Sequence, residues 1–278
     1  MATPSIAMIP AGYKTSKVYS QLPINGDGDL TFTRASSATR VNKNGLIEEV
    51  ASNLPRLDYS DGGCPSLLLE PQSTNLATYS EDFSDSSWIG GTNAGVIANA
   101  LISPDGTQNA DIIIASSDTN SRKQKTITVT PNVEKKVSVW VKSTSGTLDN
   151  QFRINFGATL STLPITSTWN RVSMTVPNTD ASSSLTLNIY PTTVGGFVIN
   201  SEIALWGIQV EEQSNATSYI PTTGATATRL ADVASLTTTG FGLTAITETF
   251  KDGSANVITT IPTTYNVSEG KIAKIIGE

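Results

Sequence analysis

The feature that most constrains this 278-residue chain is a pattern it lacks. No window of a dozen residues holds apolar side chains at i, i+3, i+4 and i+7 between helix caps, so amphipathic helices are not expected. Short runs that alternate apolar and polar residues recur instead. Each is bounded by Gly, Pro, Asn, Asp or Ser, the signature of strands joined by tight turns. In "KKVSVWVKS", Val137, Val139 and Val141 point one way and Ser138, Trp140 and Lys142 the other. "SSLTLNIYP" repeats the pattern with Leu185, Leu187 and Ile189. The chain is therefore read as all-β.

Three regions are expected. Residues 1–76 form an extended, turn-rich start. It has a turn at Asn25-Gly26-Asp27-Gly28, a strand at Leu30–Thr33, a reversal at Asn42-Lys43-Asn44-Gly45 and an apolar strand at Leu67–Leu69. Residues 77–232 form the main body, with strands expected near 96–102, 110–115, 125–130, 135–143, 151–156, 170–176, 184–190, 196–199 and 203–211. Strands of this number and spacing predict a β-sandwich whose two sheets bury their aliphatic faces against each other. Residues 233–278 are a small C-terminal β extension: two strands around Lys251-Asp252-Gly253-Ser254, with a third in "GKIAKIIGE".

Charge narrows the function. The net charge is −6, and a field of that sign repels nucleic acid and anionic membranes, so neither is an expected partner. The densest basic run, "SRKQK" at 121–125, is read as a solvated loop entering a strand. Cys64 is alone and cannot form an internal disulfide, and no histidine exists to activate it or any serine. No secretory leader or apolar membrane span is read, so assembly in a cytoplasm is expected.

Several segments together carry a family resemblance. "LTFTRASSATRVNKNGLIEEV" (30–50), "PRLDY…PSLLLEPQSTNL" (55–76) and "SEDFSDSSW" (80–88) are followed by "VSVWVKS" (137–143), "STWNRVSMTV" (167–176) and "IALWGIQVEEQSNATSYIPTTGATATRLADV" (203–233). The series resembles a module of tailed-bacteriophage tail-fibre, tail-spike and head-fibre or head-spike proteins. Its later half is similar to the jelly-roll carbohydrate-binding modules of bacterial glycosidases. The resemblance covers about residues 28–233. It implies a jelly-roll β-sandwich in a virion appendage assembled in the host cytoplasm. It also implies a homotrimer that docks on other virion proteins through its N-terminal region and adheres reversibly to host surface glycans. "IALWGIQVEE" would then be the closing strand, and "TSYIPTTGATATR" an exit segment pinned by Tyr219 and Pro221. Arg229 and Asp232 would form a surface ion pair.

Sugars stack on aromatic faces and hydrogen-bond to amides and carboxylates, so the few aromatic residues supply the candidates. Trp140 lies on the strand face opposite three valines, and Trp169 sits at a strand start beside Asn170 and Arg171. Tyr190 and Gln209 could join a groove with them. Trp206 shares strand parity with Ala204, Ile208 and Val210 and is read as core, and Trp88 as a packing anchor. A structural calcium ion has weak candidates in Asp27 and Asp29 of "NGDGD", which lacks the twelve-residue EF-hand pattern. No catalytic residue is assigned. Glu48/Glu49 and Glu211/Glu212 are strand neighbours facing opposite sides, which cannot by themselves flank a glycosidic bond. The leading expectation is a non-enzymatic head or tail fibre. A structural decoration or connector protein without ligand and a glycan depolymerase are the alternatives.

Overall fold

The computed structural model describes residues 4–90, 94–116, 121–147, 151–192 and 199–278. Every strand pairing described is antiparallel, and no helix occurs among these residues. The chain forms two compact units, Thr74–Thr228 and Met1–Ser73 with Arg229–Glu278.

Among the described residues, ten strands lie wholly within Thr74–Thr228. They are β1 (Ile89–Gly90), β2 (Ala94–Leu101), β3 (Ala110–Ala115), β4 (Lys123–Thr128), β5 (Lys135–Lys142), β6 (Gln151–Phe156), β7 (Thr159–Pro164), β8 (Asn170–Val176), β9 (Ser184–Tyr190) and β10 (Glu202–Glu211). Their pairing is nested: β3 with β10, β4 with β9, β5 with β8, and β6 with β7. One long folded ribbon is thus rolled up, and the pairs β5–β10 and β6–β9 close it into two five-stranded sheets. This is a jelly roll. The valines of β5 meet Phe152, Ile154 and Phe156 of β6 and Leu187 and Ile189 of β9 in a fully buried core.

The alternating runs mark the strands well. The expected strand at 196–199 falls largely outside the described residues, and Ile199 itself lies in a turn. β7 was not expected. Its sequence, TLSTLP, buries no side chain fully, so it shows little apolar signal. The basic run also departs from expectation. β4 begins at Lys123, and both Lys123 and Lys125 are buried. Lys125 donates to Ser87 Oγ at 2.6 Å, with its ammonium 5.1 Å from the Tyr79 ring and 5.0 Å from the Trp88 ring. Two aromatic faces and a hydroxyl replace the water that a solvated loop would have supplied. Trp88 is the anchor expected of it, buried against Phe83.

β10 corrects the reading of Trp206. Ile203 and Leu205 face the core, but so do Ile208 and Val210. The phase changes at Gly207, whose φ of +64° is a left-handed conformation that glycine tolerates. The register with β5 shifts at the same place, between Ser138 opposite Gln209 and Trp140 opposite Trp206. Trp206 is buried, but on the outer face of its sheet and away from the sandwich core.

The other unit joins the two ends of the chain. One sheet runs Ala255–Ile258, Ile246–Phe250, Gly270–Gly277, Ser66–Leu69, Leu57–Asp58, and Ile6–Met8 also pairs with Gly270–Gly277. A second runs Tyr13–Lys14, Lys17–Val18, Leu30–Thr33, Val233–Thr237, Thr264–Asn266. Phe32, Leu67, Leu69, Leu236, Ile246 and Ile272 belong to their shared core. All three strands expected beyond residue 233 are present.

This unit also holds a buried ionic cluster that corrects the expected surface pair. Asp232 takes Arg34 Nη1 at 3.0 Å on one oxygen, and the other accepts Arg56 Nη2 and the Glu70 amide. Glu70 receives Arg56 Nη1 at 2.9 Å and lies 3.3 Å from Arg229 Nη1. The side chains of Arg34, Arg56 and Asp232 are fully buried, and Arg229 nearly so. Main-chain carbonyls of Ser36, Thr39, Val50, Ala51 and Pro71 take further guanidinium donors. Burial pulls the Arg34 guanidinium below its ordinary range, with Asp232 opposing and the other two arginines adding to the shift.

Candidate functional site

Within the jelly roll, the expected sugar-contacting residues separate onto different surfaces. Trp140 and Gln209 lie on the outer face of the sheet β2-β3-β10-β5-β8, where residues 217–222 form a strap. Gln209 is fully buried; its Oε1 accepts the Ile220 amide at 2.7 Å, and its Nε2 donates to Ser218 O at 3.3 Å. Glu211 accepts the Thr217 amide at 3.0 Å. Tyr219 is buried and hydrogen-bonds Ser80 Oγ at 2.6 Å and Glu81 Oε1 at 2.9 Å. Burial and the neighbouring Glu81 charge push its phenol well above the ordinary tyrosine range. Thr222, rather than the exposed Pro221, completes the pinning through its bond to Ser80.

Trp140 is half-buried beneath this arrangement. Its ring lies 5.3 Å from Trp206 and 5.6 Å from Tyr219, both edge-on. The Arg171 guanidinium sits 4.3 Å from the ring centroid and also donates to Thr217 O at 2.6 Å and Ser138 Oγ at 2.9 Å. A stacking face of the indole is therefore occupied by Arg171. Trp169, also half-buried, donates its Nε1–H to Ile102 O at 2.9 Å.

Tyr190 lies on the outer face of the other sheet, β1-β4-β9-β6-β7, in a different setting. Alternation sends Leu185, Leu187 and Ile189 inward and leaves Thr186, Asn188 and Tyr190 outward. Three amides align across three strands, with Gln124 opposite Asn188 and Asn188 opposite Asn155. Asn188 Nδ2 donates to Asn155 Oδ1 at 3.0 Å, and Asn188 Oδ1 accepts Arg122 Nε at 2.9 Å. Next to this row the Tyr190 ring lies 4.5 Å from the Arg153 guanidinium and 6.0 Å from that of Arg122. Thr126, Thr128 and Thr162 are exposed on the same face. As Arg171 does at Trp140, Arg153 covers one face of this ring; the rest of the half-buried phenol, the amide row and the two guanidinium groups supply the apolar and hydrogen-bonding elements a saccharide requires.

Sequence reasoning reached Tyr190 but missed Arg122, Gln124, Arg153, Asn155 and Asn188. Their signal was present: amide and cationic residues occupy the outward positions of three strands. The strand partners that gather them are set by the nested topology, which alternation does not specify.

The calcium candidates lie in the other unit. Asp27 Oδ2 accepts Asn25 Nδ2 at 2.7 Å, while Asp29 Oδ1 accepts the Ser20 amide at 2.8 Å and its Oδ2 lies 3.6 Å from Lys17 Nζ. No group of three or more His, Cys, Asp or Glu side chains suited to a metal gathers among the described residues.

No known family model and no curated protein matches the sequence. Several solved structures align in part with this chain. The enzymatically active domain of bacteriophage CBA120 tailspike protein 4 is 12% identical, with 49% of this chain and 21% of that chain covered and a TM-score of 0.35. The CBM22-1 xylan-binding domain from Paenibacillus barcinonensis Xyn10C is 11% identical, with 51% and 94% covered and a TM-score of 0.35. The tandem CBM22-1-CBM22-2 domain of the same protein is 10% identical, with 75% and 84% covered and a TM-score of 0.38. The likeness thus spans about a fifth of the tailspike chain, and at these scores it carries no argument about chemistry. The jelly-roll assignment rests on the nested strand pairing.

Proposed function

We propose that this chain is a non-enzymatic bacteriophage virion appendage, a head or tail fibre or spike, whose jelly roll binds glycans on the Tyr190 face. The observation that carries the site is Tyr190 between the guanidinium groups of Arg153 and Arg122, beside the aligned amides of Gln124, Asn188 and Asn155. Pyranose rings pack C–H faces on aromatic rings, and their hydroxyls pair with amide and guanidinium groups. A broad, shallow face gives weak individual contacts. Homotrimeric chains repeated over a virion would multiply them into useful avidity and reversible adhesion to the host surface. The ordered motifs of residues 28–233 support the virion setting, with docking on other virion proteins through the N-terminal region.

The non-enzymatic part of the proposal draws support from the composition of that face. Its described outward side chains are amides, hydroxyls, guanidinium groups, Ile89, Leu160 and Pro164, whereas glycoside hydrolysis ordinarily uses a carboxylate pair. The second reading, a structural connector without ligand, draws on the other sheet. There Gln209 is committed to the strap and Trp140 to Arg171.

The test is binding of the purified protein to a glycan array that includes host surface polysaccharide. Tyr190→Ala is expected to abolish the signal and Trp140→Ala, verified as folded, to retain it. Silence from a verified folded wild-type protein would reject the adhesin in favour of the connector.

A further inference from the structure

The segment "ATRVNKNGLIEEV" has no role in the jelly-roll site. It forms a hairpin, Ala38–Val41 paired with Ile47–Val50, closed by the Asn42–Gly45 reversal. Arg40 lies opposite Glu48 in the register. Arg40 Nε donates to Glu48 Oε1 at 2.7 Å, and Asn42 Nδ2 donates to Glu48 Oε2 at 3.0 Å. Burial alone would raise the Glu48 carboxyl; the Asn42 and Arg40 hydrogen bonds outweigh it and hold the group below the ordinary range. The charged pair is thereby fixed in place.

Two tyrosines flank this set. The Tyr13 ring lies 5.7 Å from the Arg40 guanidinium. Tyr59 is held beside the hairpin by its amide, which donates to Val41 O at 3.0 Å, while the Val41 amide donates to Asp58 Oδ2 at 2.9 Å. A cleft of about 350 Å³ opens between them, near the lower end of ordinary small-ligand sites. The Asp232 cluster is packed over. This pair forms part of the wall of an open cleft.

Once Glu48 neutralises Arg40, the cation left at the cleft is Lys43, exposed at the hairpin tip. We propose that this cleft is a second ligand site, for a pyranose bearing one anionic substituent. Tyr13 and Tyr59 pack against the ring, Asn42 and the Arg40–Glu48 pair orient its hydroxyls, and Lys43 meets the acid group. A uronate carboxylate and a sulfate ester share the required chemistry. The site stands on residues of its own unit and does not depend on the Tyr190 face.

The experiment is titration calorimetry of the full chain with a galacturonate trimer, a sulfated trisaccharide and a neutral trisaccharide. Either acidic ligand, but not the neutral one, is expected to bind, and the preference between the two identifies the acid group. Tyr59→Ala is expected to weaken that binding about tenfold or more, a loss of about 1.4 kcal/mol. Lys43→Glu, in an exposed turn, is expected to weaken it further and to reverse its salt dependence, because salt then screens a repulsion. Tyr190→Ala is expected to leave it unchanged. Equal binding of the neutral ligand that survives Tyr190→Ala, indifference to Lys43→Glu, loss in Tyr190→Ala alone, or no binding of either acid would each overturn the proposal. Loss in Tyr190→Ala alone would place the binding on the Tyr190 face and so support the adhesin reading; the other three outcomes leave the array experiment undecided.

Discussion

Where the jelly roll closes on Val139, Phe152 and Ile189, the unit made from the two chain ends also encloses Arg34, Arg56 and Asp232. Both units are antiparallel sheets around aliphatic cores, and among the described residues both bury charges; in the jelly roll Lys125 and Lys135 are held by a hydroxyl and carbonyls, whereas the second unit joins its charges in one ionic cluster. An aliphatic core is nearly non-directional, and its components lose little when they shift slightly. A guanidinium group with fixed acceptors on several chain segments accepts few geometries. The unit with the more fragmented sheets is the one that uses directional contacts to set which segments meet.

The largest expected effect follows from removing the shared acceptor. Asp232→Ala leaves Arg34 and Arg56 buried without it, and breaking a buried ion pair costs about 3–5 kcal/mol. The loss should appear as faster amide hydrogen exchange in peptides containing Leu67–Leu69 and Ile272, with peptides containing Phe152 and Ile189 unchanged. Equal loss in both sets would break the contrast between the units. Phe152→Ala is the converse: truncating a buried phenylalanine costs roughly 3–5 kcal/mol. Its faster exchange should be confined to Thr74–Thr228.

A smaller effect is expected at the strap. Gly207 has a φ of +64°, and a Cβ added there would lie 3.0 Å from the Trp140 ring. Gly207→Ala should cost about 1–2 kcal/mol from the left-handed backbone alone. Because Trp140 and Tyr219 must also shift, tryptophan fluorescence should change with the stability measured by denaturant. A stability loss with unchanged emission would show that the bulge acts without the aromatic cluster.

These contrasts also show what was legible in the sequence. Alternation revealed Val137, Val139 and Val141, and Leu185, Leu187 and Ile189, because each strand's parity is written locally. Trp206 is buried as expected, but its shared facing with Ile208 and Val210 was misread because one left-handed glycine reverses the parity midway along β10. The polar residues within the recognised motifs were harder to interpret. Arg34, Arg56, Glu70, Asn75, Arg229 and Asp232 resemble surface chemistry in a linear sequence, but they serve as buried staples. Asn75, for example, donates to Ile208 O at 3.1 Å and Ile220 O at 2.9 Å. The Asp232 cluster joins residues separated by up to 198 positions, a distance over which local patterning carries no information. The Tyr190 face was only partly legible for the same reason. Its tyrosine is visible in one strand, while its amide row exists only after three strands have paired.

The smallest prediction separates the units by pH. Desolvation raises the Glu81 carboxyl above its ordinary range, with Asp105 adding to this and the bonds from Tyr219 and Asn109 opposing it. Glu81 therefore binds its proton more tightly in the folded jelly roll than in the unfolded chain. Its stabilising contribution is fully present below the unfolded value and is lost as pH rises through the folded value. Glu48 has the opposite sign, so its contribution in the other unit is lost as pH falls. Glu81→Gln keeps an acceptor for Tyr219 and removes the titration. Near pH 7 the variant's jelly roll should therefore be harder to unfold than the wild type's, with the gap closing towards pH 4. Denaturant titrations followed by hydrogen exchange within Thr74–Thr228 would measure this. Parallel wild-type and variant curves across that range would mean that the strap's foot does not carry the pH dependence. The same change should leave the Asp232 unit unaltered, because Glu81 lies in Thr74–Thr228 and its hydrogen bonds reach Tyr219 and Asn109 of that unit.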